Sequence, residues 1–248
     1  MTRLGRREAL RLVIAPLALG ALGAFRERPR PAAPLRVLVV GGHPDDPESG
    51  CGGTIARYVD AGHAVVVLYL TRGEAGIEGR THDEAARIRT AEAERACTLL
   101  GASPRFAGQV DGDTRVDAAA YAAVRALFDD VRPDVVLTQW PVDTHRDHRA
   151  ASLLAYDAWL RTGRRAALGY YEVLTGDQTQ LFRPTDYVDI TSVAPRKRDA
   201  VFAHASQRPA EWYPAHERMA RFRGMEHQCE LAEAFARHDG GPALPLPA

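Results

Sequence analysis

Three short apolar runs constrain this chain most: VLVV at 37–40, AVVVLYL at 64–70 and DVVLTQ at 134–139. None alternates polar with apolar residues, so both faces of each strand must be covered. Stretches with helical periodicity separate them, and strands alternating with helices make βαβ units. The pattern predicts an α/β fold, a mostly parallel sheet with helices on both faces. Strands are predicted over 35–42, 63–71, 134–140, 166–174 and 187–190. Helices are predicted over 53–62, 82–101, 117–131, 146–161, 194–206 and 215–238. A chain of 248 residues suffices for one core, and 34–240 reads as a single domain with a tail at 241–248.

In such sheets, sites lie beyond the carboxyl ends of the strands. Three polar clusters fall there: HPDDPES (43–49) after the first run, TRGEAG (71–76) after the second and PVDTHRDH (141–148) after the third. Asp45 and Asp46 are adjacent like charges, which either cap a helix or face a cation. His43 and Asp46 are three apart, and His148 arrives from another loop. Two histidines and a carboxylate make the three-ligand set of a catalytic zinc site. Asp45 then stands beside it as a proton acceptor. His145 and His148 are spaced i, i+3. Either both ligate, or His148 ligates while a cationic His145 faces a developing oxyanion. Asp147 is then a carboxylate that orients a histidine.

Arg72 and Glu74 follow the second strand, where a sugar hydroxyl could be held. Arg89 either belongs with them or forms a helix-surface pair with Glu92. His204 either lines a pocket or sits on a helix face. Trp140, Trp212 and Tyr213 either stack on a ring or pack.

The stretch GGHPDDPESGCGGTIARYVDAGHAVVVLYLTRGEAG, followed by THRDH, resembles the PIG-L/LmbE-like family of metal-dependent N-deacetylases, whose motifs are A-H-P-D-D-E and H-P-D-H. The resemblance runs from about Leu35 to Phe235. It implies a Rossmann-like fold, Zn2+ or Fe2+, and hydrolysis of the acetamide on an N-acetylglucosamine-type sugar, carried as a small molecule or a glycan. By position it makes His43, Asp46 and His148 metal ligands, Asp45 the general base and His145 the oxyanion-stabilising residue. Gly42 stands for the family's alanine and Arg146 for its second-motif proline. Pro47 pushes the family's glutamate one place on, to Glu48. The alternatives are a zinc hydrolase of another amide or ester, a nucleotide-binding module, and a non-catalytic sugar-binding relative. The opening glycines lack the G-x-G-x-x-G spacing of a nucleotide site.

Arg6 and Arg7 precede an apolar stretch from Leu12 to about Ala24. It is too short for a stable membrane span and suits an export signal of the twin-arginine type, with 25–33 as linker. Export to the periplasm or exterior is the expectation. Seven of the 32 basic residues lie in the first 30 positions, against two of the 32 acidic ones. The remainder carries an acidic excess, which excludes a general nucleic-acid binder. Cys51, Cys97 and Cys229 lack C-x-x-C spacing, so a thiolate zinc site is not expected. Oligomeric state is not legible.

Overall fold

The computed structural model describes residues 33–247. The expected export signal and most of its linker lie outside them. Among the described residues no helix is long and apolar enough to cross a membrane.

The elements are β1 (Arg36–Gly41), α1 (Asp46–Asp60), β2 (Ala64–Tyr69), α2 (His82–Leu100), β3 (Ser103–Phe106), α3 (Ala118–Val131), β4 (Val135–Gln139), α4 (Arg146–Arg161), β5 (Ala167–Tyr171), β6 (Asp186–Asp189), α5 (Ala194–Phe202), α6 (Pro209–His227) and β7 (Ala232–Arg237). The strands form one seven-stranded sheet in the order β3-β2-β1-β4-β5-β7-β6. β1 to β5 pair in parallel, and β7 runs antiparallel to both β5 and β6. From β1 the chain winds outward to β3, then returns to place β4 on the other side of β1. That reversal is the topological switch point, where a crevice opens.

Successive residues of β1 serve opposite faces. Val37 and Val39 pack with Ile55 of α1, Ala93 of α2 and Ala200 of α5. Leu38 and Val40 pack with Phe128 of α3 and Leu154 of α4. Helices therefore cover both faces, as the apolar runs require. Local signals set the boundaries. Thr81 caps α2, with Glu84 returning onto the Thr81 N–H at 3.1 Å. Gly101, at φ +79°, ends the same helix.

The structure departs from sequence expectation in four places. β3, sequence SPRF, is a short edge strand carrying Pro104, too polar to read as a strand. β7 lies inside the predicted 215–238 helix. Its sequence AEAFAR favours a helix, but Gln228, at φ +60°, ends α6. Pairing with strands on both sides then outweighs propensity. α1 begins at Asp46, seven residues early, with a kink at Cys51. Its glycines hid it. A Cβ on Gly50 would lie 2.5 Å from the Tyr171 ring, so the residue serves close approach to β5. The expected tail at 241–248 is packed over its described part: Leu244 is buried, and Pro245 O accepts the Tyr58 hydroxyl at 3.1 Å.

Past the kink, the Gly53 and Thr54 N–H groups find the Glu233 carboxylate at 2.8 and 2.7 Å. Lys197 neutralises that carboxylate at 2.6 Å, and both side chains are buried. Breaking a buried pair leaves an uncompensated charge. Lys197→Met is therefore expected to cost about 3–5 kcal/mol in urea unfolding. A loss under about 1 kcal/mol would show that the two backbone donors alone sustain Glu233.

Candidate metal centre and active-site cleft

The Gly42 N–H donates to Gln139 Oε1 at 2.8 Å, tying the loop after β1 to the end of β4. The His43 N–H donates to Asp46 Oδ2 at 2.8 Å, closing the turn that opens α1. Between them, Asp45 sits at φ +107°, a conformation that L residues rarely adopt. It persists because its surroundings hold it. Its N–H donates to Glu48 Oε2 at 3.1 Å. Glu48 is fully buried and takes the Tyr69 hydroxyl on its other oxygen. The turn makes the adjacent carboxylates diverge, Asp46 toward two histidines and Asp45 toward Arg89.

Asp46 Oδ2 lies 3.1 Å from His43 Nδ1 and 3.2 Å from His148 Nε2. The far nitrogen of each histidine meets another carboxylate. His43 Nε2 is 3.2 Å from Asp147 Oδ2 and 3.1 Å from Asp111 Oδ1. His148 Nδ1 is 3.1 Å from Asp143 Oδ1. Burial disfavours charge on His43, but Asp111, Asp147 and Asp46 outweigh it and hold its pKa well above the usual range. His148 is likewise raised to about 9: Asp46 and Asp143 overcome burial. Burial opposes ionisation of Asp46, yet His148 and His43 keep it well below the ordinary carboxylate value.

This set suits a metal ion. Ligands at about 2.1 Å in tetrahedral order are spaced by about 3.4 Å, close to the separations at Asp46 Oδ2. One nitrogen of each histidine faces the shared oxygen, while the other is backed by a carboxylate, the usual outer support of metal-bound histidine. Among the described residues, the groups whose ligand atoms all lie within 4.8 Å of one another are His43, His145 and His148, and His43, Asp111 and Asp147; Asp46 stands in neither.

Asp45 Oδ2 is 3.1 Å from the Arg89 guanidinium. Burial pushes Asp45 up to about 6, Arg89 pulls against the rise and Asp46 adds to it. Asp147 accepts from the Gly112 N–H at 2.8 Å and the Thr114 hydroxyl at 2.6 Å, and so is fixed as the support of His43. His145 caps α4, and its Nδ1 accepts the Asp147 N–H at 3.3 Å. Burial, then His43 and His148, lower its pKa. The expected cation is thus a neutral imidazole that presents Nε2–H as a donor.

The substrate residues expected from sequence mostly serve other ends. Glu74 accepts the Arg72 and Asp111 N–H groups, ordering its own loop. Arg72 is exposed and lies over the Phe106 ring. Arg89 borders the cleft but is buried, holding Asp45 and Pro44 O rather than Glu92. Glu92 binds Ser206 instead. His204 is fully buried and faces Glu48 at 3.5 Å, behind the cleft. Trp140 packs against Tyr170 and Phe182, and Tyr213 is buried. Arg146 sits at the rim, 3.6 Å from Asp147. Gly42 is not neutral to the site: a Cβ there would lie 3.1 Å from His148 and 3.2 Å from Asp46.

Sequence reasoning missed Asp143, Asp111 and Glu48 as parts of the site. Asp143 had a signal, a carboxylate just past β4 in the same loop as His145 and His148. Asp111 had none, since it comes from a loop remote in sequence.

Above these residues opens a cleft with a lobe of about 410 Å3 lined by His43, Asp111, His145 and His148. That is the scale of a small-molecule site.

Fold and cleft together define a doubly wound α/β protein with a metal-competent centre at its switch point. Residues 38–159 match the family described as PIG-L, GlcNAc-PI de-N-acetylase. The chain is 31% identical to the diacetylchitobiose deacetylase of Thermococcus kodakarensis over 220 residues, 81% of this chain and 82% of the relative. It is 35% identical to a 1D-myo-inositol 2-acetamido-2-deoxy-alpha-D-glucopyranoside deacetylase of Kineococcus radiotolerans over 151 residues, 46% of this chain and 42% of the relative. It is also 29% identical to the 4-oxalmesaconate hydratase of Pseudomonas putida over 224 residues, 81% of this chain and 84% of the relative. The solved N,N'-diacetylchitobiose deacetylase of Pyrococcus horikoshii superposes with a TM-score of 0.73 at 26% identity, covering 82% of this chain and 84% of that one. The chain belongs to the PIG-L family.

Proposed function

We propose that this chain is a metal-dependent N-deacetylase that hydrolyses the acetamide of an N-acetylglucosamine-type sugar. His43, Asp46 and His148 hold the metal in this reading, with zinc the favoured ion. The observation that carries it is Asp46 Oδ2 between two histidine nitrogens, with Asp45 diverging beside it onto Arg89.

Bound there, zinc would polarise the amide carbonyl and acidify water. Asp45 takes the proton of the attacking water, since its carboxylate borders the same lobe. Arg89, at 3.1 Å, fixes the direction in which that carboxylate points. His145 donates its Nε2–H to the oxygen that gains charge. Asp45 then returns its proton to the leaving nitrogen, completing acetate and free amine.

The hydratase relative raises a different chemistry on the same fold. The lining favours hydrolysis of a neutral sugar. Asp45, Asp46 and Asp111 border the main lobe, and the one arginine there is turned onto Asp45. Among the described residues lining that lobe, no arginine or lysine is left to pair with a substrate carboxylate.

Zinc-loaded protein is expected to release amine and acetate in equal amounts from N-acetylglucosamine or N,N'-diacetylchitobiose, and chelation should abolish it. Absence of amine from every N-acetylated sugar tried would sink the reading. Export belongs to the same proposal and rests on Arg6, Arg7 and the apolar run after them. Replacing both arginines with lysine is expected to retain the protein in the cytoplasm, and unchanged export would refute the twin-arginine route.

A further inference from the structure

His204 follows α5 and is fully buried, behind the cleft rather than in its lining. Its backbone is held without help from the ring. The His204 N–H donates to Val201 O at 3.1 Å, and its carbonyl accepts the Gln207 N–H at 3.0 Å. Ser206 is tied to Glu92 of α2 through its N–H and its hydroxyl, at 2.7 and 2.6 Å. Among the described residues neither ring nitrogen of His204 makes a hydrogen bond of normal geometry. A buried imidazole in that state costs stability, so packing alone does not account for it.

The ring has one charged neighbour in line with it. His204 Nε2 faces Glu48 Oε2 at 3.5 Å. That same oxygen accepts the Asp45 N–H at 3.1 Å, and Glu48 Oε1 takes the Tyr69 hydroxyl. Burial disfavours charge on His204, but Glu48 and then Asp45 outweigh it and raise its pKa. Nε2 therefore carries a hydrogen and can only donate. Tyr69 and His204 thus hold the Glu48 carboxylate from two sides, and Glu48 holds the Asp45 turn. Asp45 sits at φ +107°. Strain of that kind is comparable in size with a hydrogen bond to a charged group. With an apolar side chain in place of the imidazole, the buried carboxylate would face hydrocarbon and turn away. The Asp45 turn then relaxes, and its carboxylate swings off Arg89.

We propose that His204 is a positioning residue for Asp45 and acts through Glu48: Nε2 keeps Glu48 aimed at the Asp45 N–H, and so keeps the proton acceptor aimed at the attacking water. This rests on the deacetylase reading, which gives Asp45 its task. Among the described residues no hydrogen bond or ion pair joins His204 to His43, Asp46 or His148. Its effect therefore falls on kcat and leaves KM and zinc affinity in place.

The test compares wild type with His204→Gln, His204→Asn and His204→Leu. The glutamine amide N–H reaches about as far as Nε2. The asparagine amide ends near the place of Nδ1 and falls short of Glu48, and leucine has no donor. With zinc-loaded protein and N,N'-diacetylchitobiose, His204→Asn and His204→Leu are expected to lower kcat about 10- to 100-fold at unchanged KM. His204→Gln should keep most of the rate. If His204→Leu fails to fold, the glutamine and asparagine variants decide the matter. Equal kcat in those two overturns the proposal, and so does a loss that appears in KM or in zinc affinity instead. Crystal structures supply a readout that needs no turnover. In His204→Asn the Asp45 N–H is expected to part from Glu48 Oε2 and its φ to leave +107°, while His204→Gln keeps both. An unmoved Asp45 in His204→Asn overturns the positioning role. If Asp45 moves as expected while wild type releases no amine from any N-acetylated sugar, the positioning role stands and the deacetylase reading fails. If wild type deacetylates and Asp45 stays in place, the positioning role fails alone.

Discussion

Asp45→Asn is expected to bind metal as wild type does and to lose turnover by on the order of 10²–10⁴-fold. Asparagine keeps the size of the side chain and the backbone bond to Glu48 Oε2. It also tolerates a positive φ better than most residues, so the strained turn at +107° survives. What it cannot do is accept a proton at neutral pH. Arg89 would lose its charge partner at 3.1 Å but keep Pro44 O. Metal content by elemental analysis and amine release from the same preparation decide the matter. Loss of metal along with activity would make Asp45 a ligand. Retention of both would make it only the residue that caps α1.

His148→Ala is expected to lose both metal and activity. It removes one of three converging donors and leaves Asp143 without the imidazole it supports. Asp143→Asn provides the graded comparison. Outer supports of a ligating histidine typically account for 10–100-fold in metal affinity or activity, so His148→Ala should exceed that range while Asp143→Asn stays within it. Competition with a fluorescent zinc chelator gives the two affinities. Equal affinities for His148→Ala and wild type would remove His148 from the ligand set.

The legible part of this protein is the part governed by local physics. β1, β2 and β4 are continuous apolar runs, and nothing but a doubly covered sheet accommodates them. The switch point then follows from topology, and with it the meeting of His43, Asp46 and His148 from loops about a hundred residues apart. β7 was hidden because its six residues are alanine-rich and become a strand only when β5 and β6 offer hydrogen bonds on both sides. Start and kink of α1 were hidden by glycines whose purpose is contact with Tyr171 and Ile190.

At the site, ligand identities show in residue type and spacing, but the supports do not. Arg89 reads from sequence as a partner of Glu92 or a sugar contact, because helix spacing cannot reveal a guanidinium reaching across to Pro44 and Asp45. Glu48 seemed displaced by Pro47, yet it holds the turn that separates Asp45 from Asp46. The pKa of His145 is lowered first by its burial and then by His43 and His148, and its Nδ1 accepts the Asp147 N–H, none of which its place in the sequence reveals.

Anomalous diffraction at the zinc edge, from crystals of the zinc-loaded protein, tests the central claim most directly. The expected result is a single peak in the cleft, bonded to His43 Nδ1, Asp46 Oδ2 and His148 Nε2, with Asp45 beyond bonding distance. A peak bonded instead to His43, His145 and His148, or to His43, Asp111 and Asp147, the two groups whose ligand atoms lie within 4.8 Å of one another, would contradict it.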